Sequence, residues 1–280
     1  MYTKAYKAAV TIPPLAWVSV FLLLAYALLF LHSFWSVENG QITRSWTLAN
    51  YQTLVTQPLY LQVLMRSMRI AGAVTVLALA LGYPLAYYLS FFSRHKMLLY
   101  QLVIIPLWVS YLVRAYAWKT ILGSDGVFNT LLQYIHLTDG PVSALLYSPF
   151  AVTLTLTHIY TPFVFLPVFA AMEHIPRNLV EASHDLGATP RQTFWRVIVP
   201  LSLPGVVAGA TFAFVLSLGD FLAPLLVGGS SGIMISNIVV SLFGAAYDWP
   251  LGAAVSLVML ILVLTLLWIT DSLEQRWSHR

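Results

Sequence analysis

The 280-residue sequence contains no cysteine, which excludes disulfides, thiolate nucleophiles and cysteine-ligated metal sites. Charged residues are also scarce: they make up 9% of the chain, against roughly a quarter of an ordinary soluble domain. The seven histidines are scattered, and no two have the spacing with which one helix face holds a zinc ion. Metal-dependent and thiol chemistry are therefore not expected of this chain.

Apolar residues take the place of the missing charges, at 59% of the chain and a mean hydropathy of +0.81. Six uncharged or nearly uncharged runs are long enough to cross a bilayer, which takes about 20 helical residues. These runs are about Leu15–Phe34, Ile70–Ser93, Met97–Leu122, Pro149–Met172, Leu203–Val227 and Leu251–Thr270. The sequence predicts an all-α membrane protein with six transmembrane helices in one domain, residues 1–280.

Basic residues predict the orientation of these spans, since cytoplasmic segments carry the excess of Lys and Arg. Nine lie on the side of the two termini: Lys4, Lys7, Arg94, Lys96, Arg177, Arg191, Arg196, Arg276 and Arg280. The other five are Arg44, Arg66, Arg69, Arg114 and Lys119. Both termini are therefore expected in the cytoplasm (N-in/C-in), and the net charge of +4 does not call for a nucleic-acid partner.

The loop between the fourth and fifth runs, about residues 173–200, has the signals of two short helices joined by a turn. Gly187 is placed as the C-terminal cap of the first helix, because glycine accepts a left-handed conformation. Thr189 is placed as the N-terminal cap of the second. Pro200 and Pro204 are expected to separate that helix from the next span.

The same loop carries a spaced motif: Glu181-Ala182-Ser183, then Gly187 after three residues, then Val197-x-Val199-Pro200 after nine more. It resembles the EAA loop (Glu-Ala-Ala, three residues, Gly, nine residues, Ile-x-Leu-Pro) of the permease subunits of binding-protein-dependent ABC importers. These subunits have the methionine-importer-like, type I fold. Ser183 differs from the second alanine of the motif, and two valines stand for its Ile and Leu.

The resemblance implies that this loop is a coupling helix that docks on an ATP-binding subunit. The residues expected to couple the chain to that subunit are Glu181, Ala182, Ser183, Asp185, Gly187 and Phe194. Small side chains allow a close approach, and Phe194 is expected to act as a buried anchor. Glu181 and Asp185 are expected to meet basic residues of the partner, with a solvated helix face as the alternative.

ATP itself is expected to bind elsewhere. The sequence has no Gly-x-x-x-x-Gly-Lys-[Ser/Thr] segment, and the glycine cluster at Gly228-Gly229 lacks the lysine that holds phosphates. The chain is therefore expected to be a non-catalytic subunit without a cofactor of its own.

Proline and glycine interrupt runs two to five, which predicts that these spans line a pathway. Arg114 and Asp220 lie roughly 12 and 10 Å below the outer ends of straight third and fifth helices at ~1.5 Å per residue. We expect them to face the interior and form an ion pair, which either joins the two spans or leaves Asp220 to contact a cationic substrate. The expected pathway residues are Trp108, Tyr111, Arg114, Tyr160 and Asp220.

Within the importer family, the chain resembles the spermidine/putrescine permease branch over nearly its whole length. The segments that carry the resemblance include Ser110–Trp118, Gly126–Asn129, Gly219–Pro224, Asn237-Ile238 and Asp248–Ala254. The resemblance implies import of polyamines or another small organic solute by alternating access, in the bacterial inner membrane.

The partners that it implies are two ATP-binding subunits, a second and homologous permease chain, and a periplasmic binding protein. The segments expected to face the binding protein are Tyr51–Leu61, Gly123–Leu137 and Tyr247–Trp249. The alternative is an ATP-independent secondary transporter. That class favours inverted repeats and paired buried carboxylates, whereas one intramembrane acid and no repeat are found here.

Overall fold

The computed structural model describes the backbone of residues 4–278 and the side chains of residues 10–272. Its α-helices are α1 (Lys4–Ser33), α2 (Ala49–Thr56), α3 (Pro58–Phe91), α4 (Lys96–Trp108), α5 (Tyr111–Leu122), α6 (Val127–Tyr134), α7 (Pro149–Glu173), α8 (Arg177–Asp185), α9 (Pro190–Thr193), α10 (Val199–Gly219), α11 (Ile235–Phe243) and α12 (Trp249–Ser278). Two π-helical turns, Phe194–Ile198 and Pro224–Gly228, flank α10. A 3₁₀ turn lies at Ser143–Leu145, and β1 (Ser36–Glu38) pairs with β2 (Gln41–Thr43).

The predicted helical membrane architecture is confirmed, but the third and fifth predicted spans are both interrupted. Within the described residues, five helices are long and apolar enough to cross a membrane: Val10–Ser33, Pro58–Phe91, Pro149–Glu173, Pro190–Gly219 and Trp249–Ser272. The expected third span is instead a bent pair of segments, in which Tyr111–Tyr134 turns by 93° from α4 at residues 109–110. The described residues contain six spans only if this pair crosses the membrane as one span. The N-in/C-in orientation stays a prediction, and four of its residues, Lys4, Lys7, Arg276 and Arg280, lie outside the described side chains.

The chain divides into two compact units, Met1–Leu61 with Ile238–Leu262 and Gln62–Asn237 with Val263–Arg280. In the first unit, the Asn39-Gly40 turn joins β1 to β2 with positive φ at both positions, as a tight hairpin favours. The side-chain amide of Asn50 donates to the carbonyls of Ser33 and Trp35 at 2.8 Å, which fixes α2 to the end of α1. That one domain spans residues 1–280 stays a prediction.

The second unit has its core where α7 packs on α10, α3 and α5. Phe165, Leu156 and Val164 of α7 are fully buried there. A close approach of backbones makes this packing possible: a Cβ atom on Gly205 of α10 would lie 2.4 Å from the carbonyl oxygen of Pro167. Small residues permit such contacts between membrane helices, which gain little from hydrophobic burial against lipid.

Candidate functional site

The first candidate site is the loop from α7 to α10, where two short helices meet at the predicted glycine turn. Gly187 has a φ of +81° and follows α8 as its C-terminal cap. Its N–H donates to the carbonyl of His184 at 2.8 Å, and the N–H of Ala188 donates to that of Ser183 at 3.1 Å. This pair of bonds is a Schellman motif, so the predicted cap is confirmed.

The second helix begins as predicted. Thr189 and Gln192 form a capping box, in which the Thr189 hydroxyl accepts from the Gln192 N–H and the Gln192 side chain accepts from the Thr189 N–H. Its expected end is wrong, because Pro200 and Pro204 do not separate it from the next span. The π-helical segment Phe194–Ile198 leads directly into α10. Its wider backbone spacing accommodates the ring of Pro200, which would otherwise clash with the preceding turn of an α-helix.

A hydroxyl pair sets the relation between α8 and α9. The oxygen atoms of Ser183 and Thr193 lie 2.9 Å apart, and Thr193 is only 2% exposed. Ser183 is the residue that departs from the Glu-Ala-Ala motif, and its hydroxyl gives the buried Thr193 a partner. Sequence reasoning treated Ser183 only as a small residue and missed this contact.

An open groove of about 570 Å³ runs along these two helices. It is lined by Leu179, Ala182, Ser183, Leu186, Gly187, Ala188, Gln192, Arg196 and Val197. Leu186 is 88% exposed, an unusual position for a leucine outside lipid. Glu181 and Asp185 are exposed and make no ion pair with another described residue. The loop thus presents an apolar groove beside two unpaired carboxylates.

Phe194 does not point outward as an anchor. Its ring packs edge-on against Tyr83 and Tyr87 of α3, with centroids 6.1 and 5.0 Å away. The expectation that Phe194 inserts into a partner is therefore replaced by an internal contact between the loop and α3. Leu186 is a more exposed apolar side chain of the groove than Leu179, the other exposed leucine that lines it.

Two polar contacts fasten the start of the same loop. Glu173, the last residue of α7, forms an ion pair with Lys96 at the start of α4. The guanidinium of Arg177 donates to the carbonyl of Ser90 near the end of α3 at 3.2 Å. The start of the loop is therefore in polar contact with α3 and α4 as well as continuous with α7.

The second candidate site lies where α10 ends. Asp220 follows Gly219 in an extended conformation, and its Oδ1 accepts hydrogen bonds from the N–H groups of Leu222 and Ala223 at 2.9 and 3.0 Å. The expected fifth span from Leu203 to Val227 is thus interrupted at Asp220. A helix break at membrane depth is tolerated where other protein groups satisfy the backbone.

Tyrosine hydroxyls complete the contacts of this carboxylate. Tyr160 of α7 donates to Oδ2 of Asp220 at 2.6 Å, and Tyr111 of α5 donates to the same oxygen. With two backbone N–H groups on Oδ1, four donors occupy the roughly four acceptor positions of the carboxylate. Three of the five predicted pathway residues therefore meet at one point.

Side chains of the following helix satisfy the backbone at the break. The hydroxyl of Ser236 donates to the carbonyl of Asp220 at 2.5 Å, and the amide of Asn237 donates to that of Phe221 at 2.7 Å. The sequence indicates Asn237 only through the family resemblance, and it gives no indication of a role for Ser236. Both residues follow the glycine cluster at Gly228-Gly229 in the sequence. That position does not predict their hydrogen bonds to the carbonyls of Asp220 and Phe221.

The remaining two pathway residues are placed differently from the prediction. Trp108 is 86% exposed at the end of α4 and does not join the cluster. The expected ion pair between Arg114 and Asp220 is wrong, since Lys96–Glu173 is the only salt bridge found among the described residues. Nε and Nη1 of Arg114 are buried without a hydrogen-bond partner, and its guanidinium lies 5.9 Å from the Tyr111 ring centroid. The 93° bend before Tyr111 removes the straight third helix on which the ion pair depended.

A cavity of about 370 Å³ borders the carboxylate cluster. It is lined by Tyr111, Tyr160, Val215, Leu216, Gly219, Asp220, Phe221 and Leu222. The cavity therefore combines aromatic faces and apolar walls with one buried negative charge. Such a lining suits an organic cation, which gains from both the charge and the aromatic rings.

Comparison with known proteins identifies the family of the chain. Residues 76–279 match the family described as "Binding-protein-dependent transport system inner membrane component". The inner membrane ABC transporter permease protein YdcU of Escherichia coli (strain K12) is 38% identical over 265 residues, covering 89% of this chain and 84% of that protein. The spermidine/putrescine transport system permease protein PotB of Salmonella typhimurium (strain SL1344) is 33% identical over 271 residues, covering 95% and 94%.

Solved structures show the same fold at lower identity. A chain of the bacterial alginate ABC transporter, crystallised with an alginate pentasaccharide-bound periplasmic protein, superposes with a TM-score of 0.76 at 17% identity, covering 97% of this chain and 94% of that one. A chain of the MetNI methionine ABC transporter gives 0.61 at 18% identity, covering 79% and 99%. The EAA-type loop, the membrane helices and these relatives together show that this chain belongs to the inner membrane permease components of binding-protein-dependent ABC importers.

Proposed function

We propose that this chain is the transmembrane permease subunit of an ATP-driven importer that carries polyamines, spermidine or putrescine, or a related small organic solute into the cytoplasm. ATP binds to and is hydrolysed by partner subunits. The chain opens its pathway alternately to the two sides of the bacterial inner membrane.

The main support for a cationic substrate is the cluster of Asp220, Tyr111 and Tyr160, which lies beside the 370 Å³ cavity. Both tyrosine hydroxyls donate to the carboxylate, so their oxygen lone pairs stay available as acceptors. An ammonium group in the cavity can donate to these oxygens while it faces the aromatic rings. Asp220 then acts through the two tyrosines, because its own oxygens already accept four hydrogen bonds.

The groove along α8 and α9 supports docking of an ATP-binding subunit. An exposed Leu186 offers an apolar anchor, and Glu181 and Asp185 offer charges to basic residues of the partner. Phe194 contributes from the other side of the loop: its contacts with Tyr83 and Tyr87 carry a displacement of the loop into α3.

The other proposed partners are a second, homologous permease chain and a periplasmic binding protein. Tyr51–Leu61, Gly123–Leu137 and Tyr247–Trp249 remain the segments proposed to face the binding protein. In the second of these, Val127 and Tyr134 of α6 are exposed apolar and aromatic side chains, which suits a protein contact.

The test is uptake of labelled spermidine and putrescine by the complete transporter in proteoliposomes. We expect Asp220→Asn to lower uptake at least tenfold, because the negative charge that polarises Tyr111 and Tyr160 is lost. Asp139→Asn removes the same charge from an exposed loop and serves as the control. Wild-type polyamine uptake by Asp220→Asn would refute the proposed role of the cluster. Uptake of a neutral or anionic solute in place of polyamines would refute the proposed substrate class.

A further inference from the structure

A cavity of about 980 Å³ lies where the turn between α3 and α4 meets α7. Both α3 and α4 belong to segments apolar enough to lie in a membrane, so the turn that joins them lies at one bilayer surface in either orientation. One end of the cavity is formed by Arg94, His95 and Lys96, and its wall includes Met97, Leu98 and Phe169. The lining is therefore basic at the surface and apolar toward the membrane.

Among the described residues of the basic end, Arg94 is available to a ligand. Lys96 is paired with Glu173, and its ammonium lies 5.4 Å from the centroid of the Phe169 ring. Arg94 is exposed and makes no hydrogen bond or ion pair with another described residue. A guanidinium presents a planar set of donors that matches two oxygens of a phosphate group.

The apolar wall continues along α4, which has no buried residue among those described. Met97 and Leu98 are exposed at the cavity, and Leu102 and Ile105 follow them one and two turns further along the helix. The exposed residues of this strip are apolar except for Gln101, which lies between Leu98 and Leu102 in the sequence. A mainly apolar strip beside a basic turn at the bilayer surface suits hydrocarbon chains.

We propose that this cavity binds an anionic phospholipid, with its phosphate at Arg94 and its acyl chains along Met97, Leu98 and Phe169. Basic pockets between transmembrane helices at a membrane surface bind anionic head groups in this way. The inference depends on the chain lying in a membrane and not on the solute that it carries. A failure of the proposed substrate would therefore leave the lipid site untouched, and a failure of the lipid site would leave the proposed substrate untouched.

The test measures lipid retained by the purified complete transporter, after exchange into detergent and incubation with vesicles of either phosphatidylglycerol or phosphatidylcholine. Native mass spectrometry counts the bound lipid. We expect phosphatidylglycerol to be retained by the wild type and Arg94→Gln to lower its retention at least fivefold. Arg191→Gln removes an exposed charge from α9, outside the cavity, and is expected to retain the lipid like the wild type.

Arg94 is exposed and unpaired, so its replacement does not threaten folding, and Arg94→Lys is expected to retain an intermediate amount. Equal retention of phosphatidylglycerol by Arg94→Gln and the wild type would overturn the proposal. Equal retention of phosphatidylcholine would also overturn it. A photo-crosslinker at position 98 that captures a protein subunit, and no lipid, would show that the cavity is a protein interface and refute the lipid site.

Discussion

The hydroxyl of Tyr160 on α7 donates a 2.6 Å hydrogen bond to the carboxylate of Asp220, the residue at which α10 ends. This contact joins the most buried membrane helix to the break in its neighbour. It also brings the polarised tyrosine oxygen to the edge of the cavity proposed for the substrate.

Tyr160→Phe is expected to destabilise the transporter and weaken polyamine uptake. A hydrogen bond to a charged group contributes about 1.5–3 kcal/mol, and here Tyr111 would be left as the one hydroxyl on that oxygen. Thermal unfolding of the purified complex measures the first effect, and uptake at subsaturating spermidine measures the second. Tyr134→Phe, at an exposed site on α6, is expected to melt like the wild type. An unchanged melting temperature for Tyr160→Phe would contradict the assigned contact.

The Ser183–Thr193 pair predicts a non-additive double-mutant cycle. Ser183→Ala restores the alanine of the family motif but leaves the buried Thr193 hydroxyl without its partner, at a cost of about 1–3 kcal/mol. Thr193→Val in the same chain removes that unpaired group, so the double variant should be more stable than the sum of the single effects predicts. Thermal unfolding of the four proteins measures the cycle, and simple additivity would show that the two hydroxyls do not interact.

Gly205→Ala is expected to disrupt the packing of α10 on α7. The added methyl group would lie 2.4 Å from the Pro167 carbonyl and 2.6 Å from the Ala171 side chain, so the helices must separate. Gly72→Ala is the matched control, since a Cβ at that helical position meets nothing within 4 Å. The amount of monodisperse protein and its melting temperature should fall for Gly205→Ala alone. Equal behaviour of the two variants would contradict the close helix contact.

Leu186→Ser is expected to weaken binding of the ATP-binding subunit, because it removes the more exposed of the two leucines that line the loop groove. Trp195→Ser removes another exposed apolar side chain of the same loop, one that does not line the groove. Co-purification of the subunit with each variant measures docking. We expect at least a fivefold loss for Leu186→Ser and little loss for Trp195→Ser; the reverse order would place docking elsewhere.

The sequence predicts the turn between the two loop helices well because the helix ends at that turn depend on local chemistry. Gly187 accepts a positive φ, and Thr189 with Gln192 forms a cap within four residues, so neighbouring residues alone determine both ends. The Asn39-Gly40 dipeptide is an equally local signal for a hairpin, and it lies outside the six predicted membrane spans.

The contacts of Asp220 are less accessible to sequence reasoning because they join residues far apart in the chain. Tyr111 and Tyr160 are predicted from the sequence as pathway residues, but their common acceptor depends on the bend between α4 and α5. Straight helices at 1.5 Å per residue place Arg114 beside Asp220 instead. The sequence shows that a helix contains breaking residues, whereas the angle of the break follows from packing.

The most direct test of the account is ATP-driven polyamine uptake by the complete transporter reconstituted in vesicles, with Gly187→Val compared with the wild type. Valine cannot adopt the φ of +81° without strain, so the loop proposed to join the ATP-binding subunit to the membrane helices should change shape. The account predicts that wild-type uptake requires hydrolysable ATP and the ATP-binding subunits, and that Gly187→Val hydrolyses ATP with little or no uptake. Uptake without those subunits, or normal uptake by Gly187→Val, would contradict it.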